Sequence, residues 1–129
     1  MTRARLMVCT TCRAGRALAE DETPPGMLLY DALAGLIASG NEAPVTLTEV
    51  ACLACCEHGC ACAIAMPGKW TYLLGHLSVE HAADLLAYGT AYVASRNGAV
   101  LPSRRPTALQ NALLGRVPDL ASPDLENIA

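Results

Sequence analysis

The residues best equipped for chemistry in this chain are its seven cysteines, and they fall into two groups. Cys9-Thr10-Thr11-Cys12 is the first. The stretch Cys52-Leu53-Ala54-Cys55-Cys56-Glu57-His58-Gly59-Cys60-Ala61-Cys62 holds the other five. An odd count without a secretion signal argues against a disulfide framework. Thiols at such short spacing serve as soft metal ligands or as redox groups. A [2Fe–2S] cluster asks for four thiolates, two per iron, on loops whose backbone N–H groups can hydrogen-bond the sulfurs. Thr10, Thr11, Ala54 and Gly59 are small enough to let that backbone approach. Zinc also takes four ligands, and Cys-x-x-Cys is a favoured half-site for it, but zinc gains nothing from surplus cysteines. An iron–sulfur cluster is therefore preferred, with zinc or another mononuclear metal, and thiol redox chemistry or no metal, as two equally weighted alternatives. Cys55, Cys60 and Cys62 compete for places in any of these sites.

The elements that must position the thiols follow from pattern and punctuation. Arg5 to Cys9 is an apolar run that suits a buried strand ending at the first cysteine. Arg13 to Thr23 is loop. Thr23 is placed to cap a helix with Pro24 in its first turn. Leu29, Leu33, Leu36 and Ile37 recur at helical spacing, and Gly40 ends the helix. Val45 to Ala51 is β-branched and alternating, a strand that delivers the chain to Cys52. Ala61–Met66 and Lys69–Leu74 form a hairpin about Pro67-Gly68. Ser78 caps a second helix with Glu80 in its first turn and a buried stripe of Val79, Ala82, Ala83, Leu86, Tyr92 and Val93. Thr107 to Leu114 is a further short helix, and Ser122 to Ala129 a loose tail.

Strand, helix, strand, cysteine loop, hairpin and helix make an α/β sandwich of thioredoxin-like type with a mixed four-stranded sheet. The strand–helix–strand unit implies a parallel pair with a right-handed crossover. Loops following two parallel strands leave the sheet at the same end, so Cys9/Cys12 and Cys52/Cys56 should face each other although about forty residues separate them. The expected organisation is one metal-binding domain over residues 1–99 and an extension over 100–129, in the same domain or loosely packed.

Composition limits the alternatives. The chain has 129 residues, a net charge of −3 and no phenylalanine. Its densest basic cluster, Arg104-Arg105, is too small for a phosphate backbone, so nucleic acid is not expected as a partner. No apolar run reaches the roughly 18 to 20 residues of a spanning helix, and the N-terminus lacks the apolar stretch of a signal peptide. A cytoplasmic protein without membrane attachment is the expectation. There is no phosphate loop, no Ser-His-Asp set and no pair of catalytic carboxylates, so an electron carrier is favoured over a catalyst with its own substrate.

The strings Val-Cys-Thr-Thr-Cys-Arg at 8–13, Cys-Leu-x-x-Cys-x-x-Gly-Cys at 52–60 and Pro-Gly-Lys-Trp-Thr-Tyr at 67–72 resemble the bacterial family called domain of unknown function 1636. The likeness extends through Arg-Pro at 105–106 to Arg-Val-Pro at 116–118. It implies metal binding and a place among the thioredoxin-like [2Fe–2S] ferredoxins, with a hint of corrinoid metabolism. Cluster-binding relatives carry two cysteines after the first strand and Cys-x-x-x-Cys after the second. Carried over, the ligands are Cys9, Cys12, Cys52 and Cys56, with Cys60 in reserve; the Cys9–Cys12 spacing is tighter than in those relatives. Zinc is the alternative cofactor. The implied role is a small ferredoxin-like electron carrier with a protein redox partner; a homodimer is allowed. A zinc- or cobalt-binding delivery or structural protein with the same cysteines is the alternative.

Remaining residues weigh toward plain roles. His58 could ligate iron, but a solvated loop histidine is favoured. His76 and His81 suit surface or capping positions, and Trp70 and Tyr72 suit packing on the second helix. Arg13 could balance cluster charge or be an ordinary surface arginine. Arg104-Arg105-Pro106 has no evident chemistry. Redox use of Cys9-x-x-Cys12 is disfavoured because the helix begins a dozen residues later and no proline-containing loop lies opposite.

Overall fold

The computed structural model describes residues 3–14, 17–55 and 58–119. The strands are β1 (Ala4–Cys9), β2 (Val45–Val50), β3 (Cys62–Ala65), β4 (Thr71–Leu74) and β5 (Leu113–Val117). The helices are α1 (Pro25–Ala38) and α2 (Ala82–Ala94), the latter preceded by a 3₁₀ turn over Val79–His81. One sheet runs β2-β1-β3-β4-β5. β1 and β2 are parallel, with Cys9 opposite Val50, and every other pair is antiparallel. This is the thioredoxin-like α/β arrangement expected, with five strands instead of four.

The fifth strand corrects the helix expected over Thr107 to Leu114. Only Thr107–Leu109 turns, as a 3₁₀ segment, and Leu113–Val117 pairs with β4. The local preference of an Ala/Leu-rich run for helix is worth tenths of a kcal/mol per residue. It yields to the ladder hydrogen bonds offered by the open edge of β4 and to the part-burial of Leu113 and Leu114. Ser122 to Ala129 lies outside the described residues.

The core alternates as a sheet strand should. Ala4, Leu6 and Val8 are buried with Leu29, Leu33, Leu85 and Leu86, and Arg5 between them is exposed. Both helices pack on β1, on β2 and on each other. With no phenylalanine to fill the core, Tyr88 and Tyr92 are the largest fully buried side chains. Tyr92 meets Tyr72 edge-to-face at 6.2 Å, and its hydroxyl donates to Trp70 O at 2.6 Å. Leu85 and Tyr88 belong to the buried stripe of α2, whereas Val79 and Ala83 are exposed. The helix enters through a 3₁₀ turn, which rotates its face relative to a uniform helical reading.

Helix ends follow the sequence signals with small shifts. Pro24 occupies the cap position of α1 and Pro25 its first turn, so Thr23 is not the cap. At the other end Gly40, at φ +106°, donates to Ile37 O while Asn41 donates to Leu36 O. That is the Schellman pattern, which needs a left-handed residue where Gly40 stands. His81 Nδ1 accepts from Ser78 N–H at 2.9 Å, the reciprocal half of a capping box.

The Pro67–Tyr72 string is structural. Gly68 at φ +83° makes the hairpin turn. Lys69 Nζ donates to Tyr92 O at 3.1 Å and to Val93 O, satisfying carbonyls at the end of α2. Arg116 from β5 lies 4.1 Å from the Trp70 ring centre. Arg105, without a role in the sequence reading, clamps its own loop through Val100 O at 3.0 Å and Gln110 O at 3.2 Å. No helix among the described residues is long and apolar enough to cross a membrane.

Candidate metal centre

The parallel pair brings the two cysteine loops to one end of the sheet. β1 ends at Cys9 and β2 at Val50, side by side, and the chain then turns into Thr10–Cys12 and Ala51–Cys55. Three contacts stitch the loop starts together. Thr10 N–H donates to Val50 O at 2.9 Å, the Thr11 hydroxyl donates to Ala51 O, and the Cys9 thiol lies 3.8 Å from Ala51 O. Cys12 N–H closes a turn onto Cys9 O at 3.4 Å, and Cys9 N–H donates to Ala61 O at 3.1 Å, where the second cysteine stretch rejoins the sheet.

The same loop is wedged against α1. Gly26 N–H donates to Cys12 O at 3.0 Å. A Cβ on Gly26 would run into Cys9 O and come within 3.1 Å of Cys12 Cβ. The start of α1, remote from Cys12 in sequence, is therefore its neighbour in space. That removes one of the two sequence arguments against a thiol redox role and places the positive end of a helix beside the first cysteine pair. From the other side comes Gly59, where a Cβ would collide with Cys12 Sγ. The second cysteine stretch thus folds back over the first.

The cysteines divide by burial. Cys9 and Cys12 are each 5 % exposed and Cys52 is exposed. Cys55 is half-buried, with its thiol donating to Leu53 O at 3.3 Å. Cys60 and Cys62 are fully buried members of the core. Cys56 lies outside the described residues. Ala54, at φ +58°, turns its N–H toward Cys52 Sγ at 3.2 Å, the kind of N–H···S contact that stabilises a thiolate ligand. Among the described residues, no three His, Cys, Asp or Glu side chains gather as a ready metal nest. The donor set still fits a thiolate-bound metal in kind. It offers soft ligands from two loops at one sheet end, small residues between them, and a backbone donor aimed at one sulfur.

Cys62 is suited to packing. Burial, with the neighbouring Cys60 adding to it, pushes its thiol from 9.0 to about 12. Burial likewise holds the Tyr92 phenol up at about 12. Both groups stay protonated in the fold at a pH where the unfolded chain releases their protons, so the folded state binds more protons there. Their contribution to stability should therefore be level below about pH 9 and fall as pH rises toward about 12. Urea midpoints measured from about pH 8 upward should show that decline, and Cys62→Ala should make it shallower.

The histidines are placed unexpectedly. His81 is the capping residue already described. His58 and His76 are exposed, as anticipated, but they touch each other: His58 Nδ1 lies 3.2 Å from His76 Nε2. Nothing in the linear order signals this pairing, because it depends on the β4–α2 connection passing beneath the second cysteine stretch.

A family model described as "Protein of unknown function (DUF1636)" matches residues 6–119. No curated protein matches the chain. Among solved structures, the chain is similar to a thioredoxin-like [2Fe–2S] ferredoxin from Aquifex aeolicus. That likeness has a TM-score of 0.57 and 10 % identity, and covers 93 % of this chain and 97 % of the ferredoxin. At that identity the likeness is one of fold.

Proposed function

The chain belongs to the family described as Protein of unknown function (DUF1636), and for this member we propose the role of a small [2Fe–2S] electron carrier. The observation that carries the reading is the parallel β1–β2 pair, which releases both cysteine loops at one end of the sheet. In this reading Cys9, Cys12, Cys52 and Cys56 hold the cluster. Cys60, the reserve ligand, is fully buried in the core and better suited to packing. The bound cluster would supply a site that takes up and gives back one electron. The chain's own part is to hold it, to aim the Ala54 N–H at Cys52, and to set the positive end of α1 beside the negative thiolates. Thr11, Arg13, Cys52 and Ala54 are exposed, so a protein redox partner could approach the centre closely. The fold likeness to the Aquifex aeolicus [2Fe–2S] ferredoxin supports the reading. A link to corrinoid metabolism rests on the family resemblance alone.

Anaerobic purification followed by iron, sulfide and zinc analysis tests the proposal. About two irons and two labile sulfides per chain, with visible sulfur-to-iron absorption, are expected. Stoichiometric zinc without iron would overturn the reading in favour of a metal-delivery or structural role for the same cysteines. Cys55→Ser should keep the iron, because its thiol is turned to the Leu53 carbonyl.

A further inference from the structure

We propose that His58 and His76 form a second, separate cation site that takes a zinc-like divalent ion. The two residues stand on different segments, one in the second cysteine stretch and one between β4 and α2. Their rings meet at 86° with centroids 5.2 Å apart, and His58 Nδ1 and His76 Nε2 are separated by 3.2 Å. An ion bound at about 2.0–2.1 Å from each nitrogen, the usual zinc–imidazole distance, would subtend roughly 100° across that gap, close to a tetrahedral angle.

The backbone fixes this meeting independently of the rings. His76 N–H donates to His58 O at 2.6 Å, and Gly75 N–H donates to Ala112 O at 2.8 Å. A side chain on Gly75 would strike His58 O at 2.5 Å and Leu114 Cδ1 at 2.6 Å. His76 itself sits at φ +56°, a left-handed conformation that non-glycine residues seldom adopt. Three segments therefore converge to hold one imidazole against the other.

Imidazole nitrogen selects borderline ions such as zinc, nickel and copper over calcium and magnesium. In the ion-free pair, one ring N–H faces the other ring's lone pair. On binding, the near nitrogens, Nδ1 of His58 and Nε2 of His76, supply the lone pairs, and the far nitrogens carry the N–H groups. Both residues are exposed, so solvent can complete the coordination. Among the described residues no third His, Cys, Asp or Glu joins them. The site is accordingly an exchangeable one, and it uses none of the cysteines assigned to the cluster.

The test is a zinc titration of the full chain followed by nitrogen-15 NMR of the three histidine side chains, continued past saturation of the thiols. His58 Nδ1 and His76 Nε2 should shift together and saturate with one zinc, while His81, held in its capping contact, stays in place. In His76→Ala the His58 shift should vanish, and equilibrium dialysis should find one zinc fewer than in the parent. Removing this exposed ring leaves the core intact. The proposal is overturned if zinc in excess moves neither signal, if all three histidines shift alike, or if zinc stoichiometry is the same in His58→Ala, His76→Ala and the parent. The thiol-bound metal is counted separately, so failure here leaves the cluster reading standing, and failure of the cluster reading leaves this one.

Discussion

Gly26→Ala should destabilise the protein by about 3 kcal/mol, the upper range for overpacking at a site that cannot relax. The new methyl would meet Cys9 O and crowd Cys12 Cβ. The first of these is main chain fixed by the ladder that ends β1, so it has no rotamer to change. Relief requires α1 to back away from the cysteine turn, breaking the Gly26–Cys12 hydrogen bond. Urea denaturation measures the loss, and faster alkylation of Cys12 would report the opened turn. Gly35→Ala is the matched control in the same helix. Nothing lies within 4 Å of a Cβ there, so the substitution should stabilise by ~0.5–1 kcal/mol through backbone entropy. If Gly26→Ala were equally benign, the wedge between helix and cysteine loop would be wrong.

Cys52→Ala and Cys62→Ser should separate metal binding from folding. Cys52 is exposed and contributes nothing to the core. Its loss should leave the metal-free fold as stable as the parent while iron content falls to background. Cys62 is fully buried between Val8 and Leu74 on β3. Serine there places a hydroxyl in apolar surroundings at a cost of about 1–3 kcal/mol, yet iron should be retained. Iron analysis alongside urea midpoints reads both effects. Retention of iron in Cys52→Ala, or its loss in a folded Cys62→Ser, would reassign the ligands.

Much of the framework could be read from residue order because its signals are local. The apolar run into Cys9, the alternation from Val45, the Pro67-Gly68 turn and the Gly40 stop each act within a few residues. From them alone the parallel pair followed, and with it the placement of both cysteine loops at one end of the sheet. What escaped depends on contacts between distant segments. β5 exists because β4 has an open edge, which no window around Leu113 reveals. The approach of α1 to Cys12 is set by the path of the intervening loop, so counting residues from Cys12 to the helix gave the wrong distance. The His58–His76 contact has the same origin, two loop residues 18 positions apart brought together by the fold of the intervening hairpin. Burial of Cys60 and Cys62 also needed the fold, since a cysteine-rich stretch does not show which thiols face the core.

One-electron chemistry at the thiol loops can be read from a potentiometric titration of the iron-reconstituted protein, followed by electron paramagnetic resonance. A silent oxidised state and reversible uptake of one electron per chain are expected. A paramagnetic signal should appear on reduction in the parent and be missing from Cys52→Ala. Reconstituted protein that accepts no electron within the range of biological reductants would contradict it.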